Sequence, residues 1–415
     1  MTRDTRTMVI VGTGMAGTRA AARLREEGFE GRVVLLGRDL ADPYDHVPLS
    51  KNHLTGAAGY HELYLNPPGF YAEHDIERRP GVAVESVDPA AHTVTLDGGD
   101  TLDYDTLLLA TGSRTRRLAV PGADLPGVFA PRTLAEFDGL RRALAGARRL
   151  VVVGAGFVGS EIAASARELG LDVTLVSRGP LPMGRALGTV GGTFYRDLHE
   201  AHGVRVHAGV TAVAIHGDGA GRDGSRGGVR EVELSDGTVL PADVVVTGVG
   251  ADPEVDLARA AGLPIGDGVE VDKTLRAAPG VYAAGDIASV PDPRRGGRTR
   301  VAHYATARKQ GVHAARNMLG ADRPYRAVPF FFTDQFGVWM EYIGDSDPQA
   351  DTVVRGTVGA GPFVVFHVRG DRLVAAMNVD VHGIPDLVTP VIARGIPVDR
   401  AALADPDFDL ATLAR

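Results

Sequence analysis

The chain has no cysteine among its 415 residues, and that absence excludes more chemistry than any residue present. Disulfide exchange, thiolate nucleophiles, haem-thiolate ligation and protein-held iron-sulfur clusters are all removed. Long apolar runs are missing too, since no stretch approaches the roughly 20 residues a membrane span requires. The amino-terminal MTRDTRTMVIVG runs into a strand pattern without the apolar core of a secretion signal, so a cytoplasmic location is expected. A basic balance is also lacking. The formal net charge of -8 argues against a nucleic-acid binder, which needs a basic face. Short clusters at Arg114, Arg116 and Arg117 and at Arg294, Arg295, Arg298 and Arg300 read most simply as solvated loops. Their functional alternative is docking of an acidic protein. Lysine is scarce: Lys51, Lys273 and Lys309 are the only three among 44 basic residues, so each raises the question of why arginine does not serve.

What is present is an ordinary globular composition, 44% hydrophobic and 23% charged, with length for two or three domains. TMVIVG, TGMAGTRAAARLREEG and RVVLLG read as strand, glycine turn with helix, and strand. Four apolar residues in a row suit a strand buried on both faces, and Ala20, Ala21 and Leu24 give the helix one apolar stripe. RLVVVG, AGFVGSEIAASARELG and LDVTLVS repeat that grammar, so the chain holds two copies of one βαβ device. A Pro- and Gly-punctuated stretch from Ala41 to Pro80 and short strands at VAVESVD and TVTLD lie between them. Gly217 to Gly228 (GDGAGRDGSRGG) reads as a flexible hairpin tip. From about Ala327 the aromatic and β-branched runs PFFFTDQF, PFVVFHV and RLVAAMNV, then helix-like TPVIARG, suggest a smaller α+β domain. The expected fold is α/β: two interleaved Rossmann-type dinucleotide-binding domains plus a C-terminal α+β interface domain. The expected boundaries are 1-114 and 251-326 for the first domain, 115-250 for the second inserted in it, and 327-415 for the third.

Gly12, Gly14 and Gly17 form GxGxxG between a strand and a helix, and Gly154, Gly156 and Gly159 repeat it. The first glycine permits the tight turn, the second admits a pyrophosphate to the backbone, and the third lets helix and strand pack closely. Free N–H groups and the helix dipole then hold the phosphate charge. Two such units point to two dinucleotides, commonly a resident flavin and an exchangeable nicotinamide; one decayed duplicate is the plainer alternative.

With these motifs the sequence resembles the two-dinucleotide flavoprotein reductases, and within them the ferredoxin reductases of oxygenase systems, the putidaredoxin reductase and aromatic-ring dioxygenase type. Pro48, Leu49, Ser50 and Lys51 match the family's P-L-S-K stretch, Ala110, Thr111 and Gly112 its A-T-G turn, and Ala284, Gly285 and Asp286 its A-G-D strand end. The resemblance covers essentially the whole chain. It implies FAD contacts at Ala16, Lys51, Val84, Arg132, Asp286 and Tyr304. Asp286 would accept from the ribityl hydroxyls, its plainer alternative being a helix N-cap. The resemblance further implies that Lys51 stands beside the flavin N5 atom, paired with Glu161 on the helix after the second glycine motif. There the lysine would favour electron density arriving on the flavin, and the carboxylate would hold the lysine and the nicotinamide amide; a structural role is the alternative. The implied reaction is hydride transfer from NAD(P)H to FAD, then single electrons to a two-iron ferredoxin serving an oxygenase, from a monomer or homodimer.

Several positions depart from the family. Arg38, with Asp39 beside it, stands where an acid commonly binds the adenosine ribose of FAD, and either residue is a candidate for that contact. His46 replaces an arginine, while Tyr304 and Phe332 stand where relatives often carry tryptophan. At the end of the second strand of the repeated unit, Ser177 occupies the place of the acid that selects NAD over NADP, and Arg178 follows. A guanidinium suits a 2'-phosphate, so weak discrimination against NADPH is expected. Two rival functions share the framework: reduction of a quinone or other small acceptor, and redox sensing by an interaction flavoprotein like apoptosis-inducing factor. Relatives that depend on catalytic cysteines are excluded.

Overall fold

The computed structural model describes residues 4–219 and 227–414, and the chain forms two compact units. The first comprises Met1–Asp45, Tyr60–Arg114 and Asp252–Pro329; the second His46–Gly59, Thr115–Ala251 and Phe330–Arg415.

In the first unit the apolar run TMVIV is the strand Thr7–Val11, flanked in parallel by Arg32–Gly37 and Thr106–Leu109. Ile76–Pro80 extends the sheet in parallel on one side and Val281–Ala283 on the other, with Arg276–Ala278 added antiparallel at the edge. Central strands covered on both faces bury every residue, as Val33 to Leu36 and Leu107 to Leu109 do. The helix Met15–Glu26 turns its stripe of Ala20, Ala21 and Leu24 fully inward. A second helix, Tyr304–Met318, packs against it so closely that a Cβ on Gly311 would lie 2.2 Å from the Ala16 carbonyl oxygen.

The second unit repeats the parallel arrangement. Arg149–Val153 is flanked by Asp172–Ser177 and Val244–Thr247, with Arg205–Ala208 and Val128–Phe129 outside them. The helix Phe157–Glu168 follows the central strand. Nearby, Leu134–Ala145 begins with a capping box between Thr133 and Glu136. Ala212–Gly217 and Val229–Leu234 pair antiparallel; of the expected hairpin tip at 217–228, residues 220–226 lie outside the described residues.

The aromatic runs near the carboxyl end form an antiparallel sheet in the order Phe330–Gln335, Val338–Gly344, Arg372–Val379, Phe363–Arg369, Asp351–Gly356. The helix Ile384–Arg394 follows. Within this unit Met183, Leu187 and Tyr195 share one apolar core with Met340, Tyr342, Phe363, Val365 and Met377. The helix Gly184–Ala201, broken at Gly188 where φ is 71°, supplies the first side of that core. Among the described residues no helix is long and apolar enough to cross a membrane.

Candidate active site

The two glycine turns have one geometry. Gly12 and Gly154 adopt φ of 116° and 114°, reserved for glycine in practice. A Cβ on either would lie 2.1 Å from the Ala110 oxygen or 2.4 Å from the Gly248 oxygen, so each turn presses against the neighbouring strand. Gly17 and Gly159 sit one helical turn on, where a Cβ would lie 1.9 Å and 2.0 Å from the carbonyl oxygens of Gly12 and Gly154. Gly14 and Gly156, by contrast, are the N-cap residues of the two helices, extended in backbone and without a side-chain cap. A Cβ on either would meet nothing within 4 Å. The helix N–H groups therefore open onto room with no side chain of their own to satisfy them, which fits a pyrophosphate at each turn.

The first unit also holds further expected residues. Ala16 is buried against Gly285, whose Cβ would stand 3.1 Å from the Ala16 methyl. Ala110, Thr111 and Gly112 leave the end of strand Thr106–Leu109, and the Thr111 hydroxyl donates to the Glu254 carbonyl at 2.6 Å. Asp286 lies in the short 3-10 turn Gly285–Ile287, whose N-cap is Ala284, so its carboxylate does not cap that turn. Instead the Ser113 hydroxyl donates to it at 2.7 Å, while the Gln310 side chain accepts from the Gly285 N–H at 2.8 Å. Nearby His303 is pushed down to about 4 by burial, which the Asp286 charge only partly offsets. Tyr304 begins the next helix, half-buried, its hydroxyl raised by burial and by Asp45. Val84 opens the strand Val84–Asp88 and is buried. After strand Arg32–Gly37, Arg38 is exposed, and the Asp39 carboxylate accepts from the Ala41 N–H at 3.3 Å and the Tyr44 hydroxyl at 2.9 Å.

Lys51 and Arg132 belong to the second unit. Pro48, Leu49 and Ser50 form the 3-10 helix Val47–Ser50, Lys51 joins it to the helix Asn52–Thr55, and the buried His53 binds Asp138 at 2.9 Å. Arg132 precedes the capping box, and its backbone N–H donates to Glu136 at 2.8 Å. Glu161 projects from the helix behind the second glycine turn into a nearly dry site. The Lys51 ammonium lies 2.7 Å from its Oε1, and the two side chains are 14% and 7% exposed. Ser50 donates to Oε2 at 2.5 Å and Thr333 to Oε1 at 2.7 Å. One turn further along the helix, Ser165 donates to the Ser50 carbonyl at 2.8 Å. A carboxylate so buried is tolerable only when paired and hydrogen-bonded, and this one is both. The charge near it pushes other groups: Asp334 is raised by burial, with Lys51 opposing and Glu161 adding, and the buried Tyr195 hydroxyl is raised by burial with Glu161 contributing.

Ser177 is buried at the end of its strand, and Arg178 follows, exposed. The registers Val11 to Leu36 and Val153 to Val176 make Gly37 and Ser177 equivalent, and likewise Arg38 and Arg178. Sequence reasoning missed Thr333, Gln335, Ser113 and the role of Ser50. A signal for the first two existed: Thr and Gln two apart in the aromatic run PFFFTDQF place two polar side chains on one face of a strand.

The open Gly156 and the crowded Gly159 predict separable mutants. Gly156→Ala should weaken nicotinamide binding by about tenfold with little change in melting temperature. Gly159→Ala should destabilise the unit by about 1–3 kcal/mol through overpacking. Titration with NADH and thermal melts of both variants check this; equal melting temperatures would refute it.

The chain matches the family described as pyridine nucleotide-disulphide oxidoreductase over residues 6–311 and the reductase C-terminal domain over residues 330–414. It is 37% identical over 407 residues to rhodocoxin reductase of Rhodococcus erythropolis, covering 97% of this chain and 93% of that protein. It is 36% identical over 411 residues to the biphenyl dioxygenase system ferredoxin–NAD(+) reductase component of Paraburkholderia xenovorans, covering 99% and 98%. The crystal structure of the covalent putidaredoxin reductase–putidaredoxin complex matches with a TM-score of 0.93 at 32% identity, covering 99% of this chain and 98% of that one. With both glycine turns built alike and no cysteine in the sequence, the chain belongs to the pyridine nucleotide-disulphide oxidoreductase family, in its branch of ferredoxin reductases.

Proposed function

We propose that the chain is an FAD-dependent oxidoreductase that takes hydride from NAD(P)H and passes single electrons to a two-iron ferredoxin serving an oxygenase. The observation that carries the reading is the pair of matching turns, each with an open central glycine at an uncapped helix terminus. Residues 1-114 and 251-326 hold FAD, 115-250 the nicotinamide dinucleotide, and 327-415 face the ferredoxin. Full-length likeness to ferredoxin–NAD(+) reductase components, and to a reductase solved in covalent complex with putidaredoxin, supports the acceptor. The cytoplasm suits a chain whose reductant is a cellular nicotinamide, acting as monomer or homodimer.

When bound, FAD supplies the change from two-electron to one-electron chemistry. The protein's own part is to bind and orient. Gly12, Gly14 and Gly17 with the helix Met15–Glu26, together with Ala16, Val84, Ala110, Thr111, Gly112, Asp286 and Tyr304, serve the flavin side, with Arg38 or Asp39 at the adenosine ribose. Lys51 and Arg132 are further flavin contacts in this reading. Gly154, Gly156, Gly159, Ser177 and Arg178 serve the nicotinamide side. Lys51 and Glu161 are the catalytic pair. A fixed ammonium in a dry site stabilises negative charge without reorganising at the moment of transfer, and Glu161 holds it at 2.7 Å.

Anaerobic reduction with NADH, followed by mixing with a two-iron ferredoxin, a quinone or ferricyanide, tests the acceptor. Electron transfer to the ferredoxin at least matching the quinone rate is expected. Fast transfer to the quinone alone, or a change of elution volume with NADH and no fast acceptor reduction, would defeat the reading. Lys51→Met should slow the limiting rate of flavin reduction about 10- to 1000-fold, as loss of one preorganised contact does, while FAD is retained. At the coenzyme, kcat/KM should favour NADH over NADPH by less than about 100-fold. Arg178→Ala should lower kcat/KM for NADPH selectively; equal effects on both coenzymes would place the guanidinium away from the 2'-phosphate.

A further inference from the structure

Glu161 is the end of a longer chain of buried hydrogen bonds. Its Oε1 accepts from the Thr333 hydroxyl at 2.7 Å, the Thr333 oxygen accepts from Gln335 Nε2 at 3.1 Å, and Gln335 Oε1 lies 2.8 Å from His199 Nε2. Thr333, Gln335 and His199 are all buried. Thr333 and Gln335 stand two apart on the first strand of the carboxyl-terminal sheet, and His199 lies near the end of the helix Gly184–Ala201. Gln335 Nε2 has a further weak acceptor in the Met183 sulfur at 3.7 Å.

The chemistry of each group leaves the chain one direction. A carboxylate accepts and cannot donate, and a hydroxyl has a single proton. Thr333 spends that proton on Glu161, so its oxygen must accept from the Gln335 amide nitrogen. The amide oxygen then faces His199, which must carry its proton on Nε2. Burial holds the His199 imidazole below its ordinary range, Gln335 opposing and His202 adding, so the ring is neutral with one N–H. Its Nδ1 is buried without a partner among the described residues, as the deprotonated nitrogen of that tautomer tolerates better than an N–H would. Every donor thus points toward Glu161, and aligned bonds of this kind reinforce one another in a low dielectric. Among the described residues, the charged and titratable groups shown to interact with the carboxylate are Lys51, Asp334 and Tyr195, and of these Lys51 is the opposite charge.

We infer that Thr333 and Gln335 are positioning residues for hydride transfer: the carboxyl-terminal sheet, through its first strand, fixes Glu161 and thereby Lys51. The inference rests on the reading of Lys51 and Glu161 as the catalytic pair. It gives that sheet a part in the reductive half-reaction, apart from any part in passing electrons on. Thr333→Val keeps the shape and removes the donor, leaving one face of Oε1 without its hydrogen bond and the Gln335 N–H without its acceptor.

The test is stopped-flow reduction of the FAD-loaded protein by NADH. Thr333→Val should cut the limiting rate about tenfold, the scale of one hydrogen bond to a charged group. The NADH dissociation constant should stay within about twofold, the signature of an interaction that acts on the step rather than on binding. Thr333→Ser should recover most of the rate. Gln335→Leu, which keeps the Thr333–Glu161 bond and removes the links beyond it, should slow it less than Thr333→Val and provides the decision if the valine variant does not fold. Independently of turnover, nitrogen-15 shifts of the His199 ring should report the neutral Nε2–H form in the apoprotein as well as the loaded enzyme. A limiting rate in Thr333→Val equal to that of the unmodified protein, equal slowing in the valine and serine variants, or an Nδ1–H tautomer would overturn the inference. In each of those cases Lys51→Met still reports separately: if it too leaves the rate unchanged, the catalytic pair itself is wrong.

Discussion

A carboxylate taken out of water must be compensated where it stands, and Glu161 imposes that requirement on the second unit. Its desolvation costs several kcal/mol in a real protein interior, and the compensation comes from two stretches far from it in sequence. Ser50 and Lys51 come from one short loop and Thr333 from the carboxyl-terminal sheet, while the helix behind the second glycine turn supplies the acid and, through Ser165, a further tie to the loop. The segment His46–Gly59 accordingly groups with the second unit although it interrupts the first in sequence. A lysine rather than an arginine suits the place: a compact ammonium on a flexible stem fits a narrow dry site where a planar fork would need several acceptors.

The paired turns show one solution used twice. Matching φ values at Gly12 and Gly154, matching close approaches at Gly17 and Gly159, and matching open space at Gly14 and Gly156 mean that helix, strand and turn meet in the same way in both units. The strand ends beside the turns differ in residue type, glycine in one unit and serine in the other. There Gly37 and Ser177 are equivalent, and an exposed arginine follows each.

Much of this was legible in the sequence because its causes are local. Four apolar residues before a glycine turn, and a helix stripe of Ala20, Ala21 and Leu24, are decided within one βαβ unit, and they are buried as read. Ile76–Pro80 was not legible: two arginines and a glutamate gave IERRP no apolar signature, and it forms a strand because an edge position buries Ile76 while leaving Glu77, Arg78 and Arg79 only partly buried. Nor could the partners of Glu161 be read beyond Lys51. Thr333 is 172 positions away and Ser50 111, and no local pattern relates them. Asp286 was placed correctly after a buried strand, but its partner Ser113, 173 positions earlier, came only from the fold.

The distance in sequence between Glu161 and Thr333 has a consequence for how the protein is made. During synthesis the helix carrying Glu161 leaves the ribosome long before the strand Phe330–Gln335, so through that interval the acid has Lys51 and Ser50 as partners but not Thr333. Non-local contacts of this kind form late because loop closure must precede them. The second unit therefore completes its polar core only when the last fifth of the chain arrives, and a ribosome-bound or truncated product ending before that strand exposes an unfinished carboxylate site to water and to chaperones.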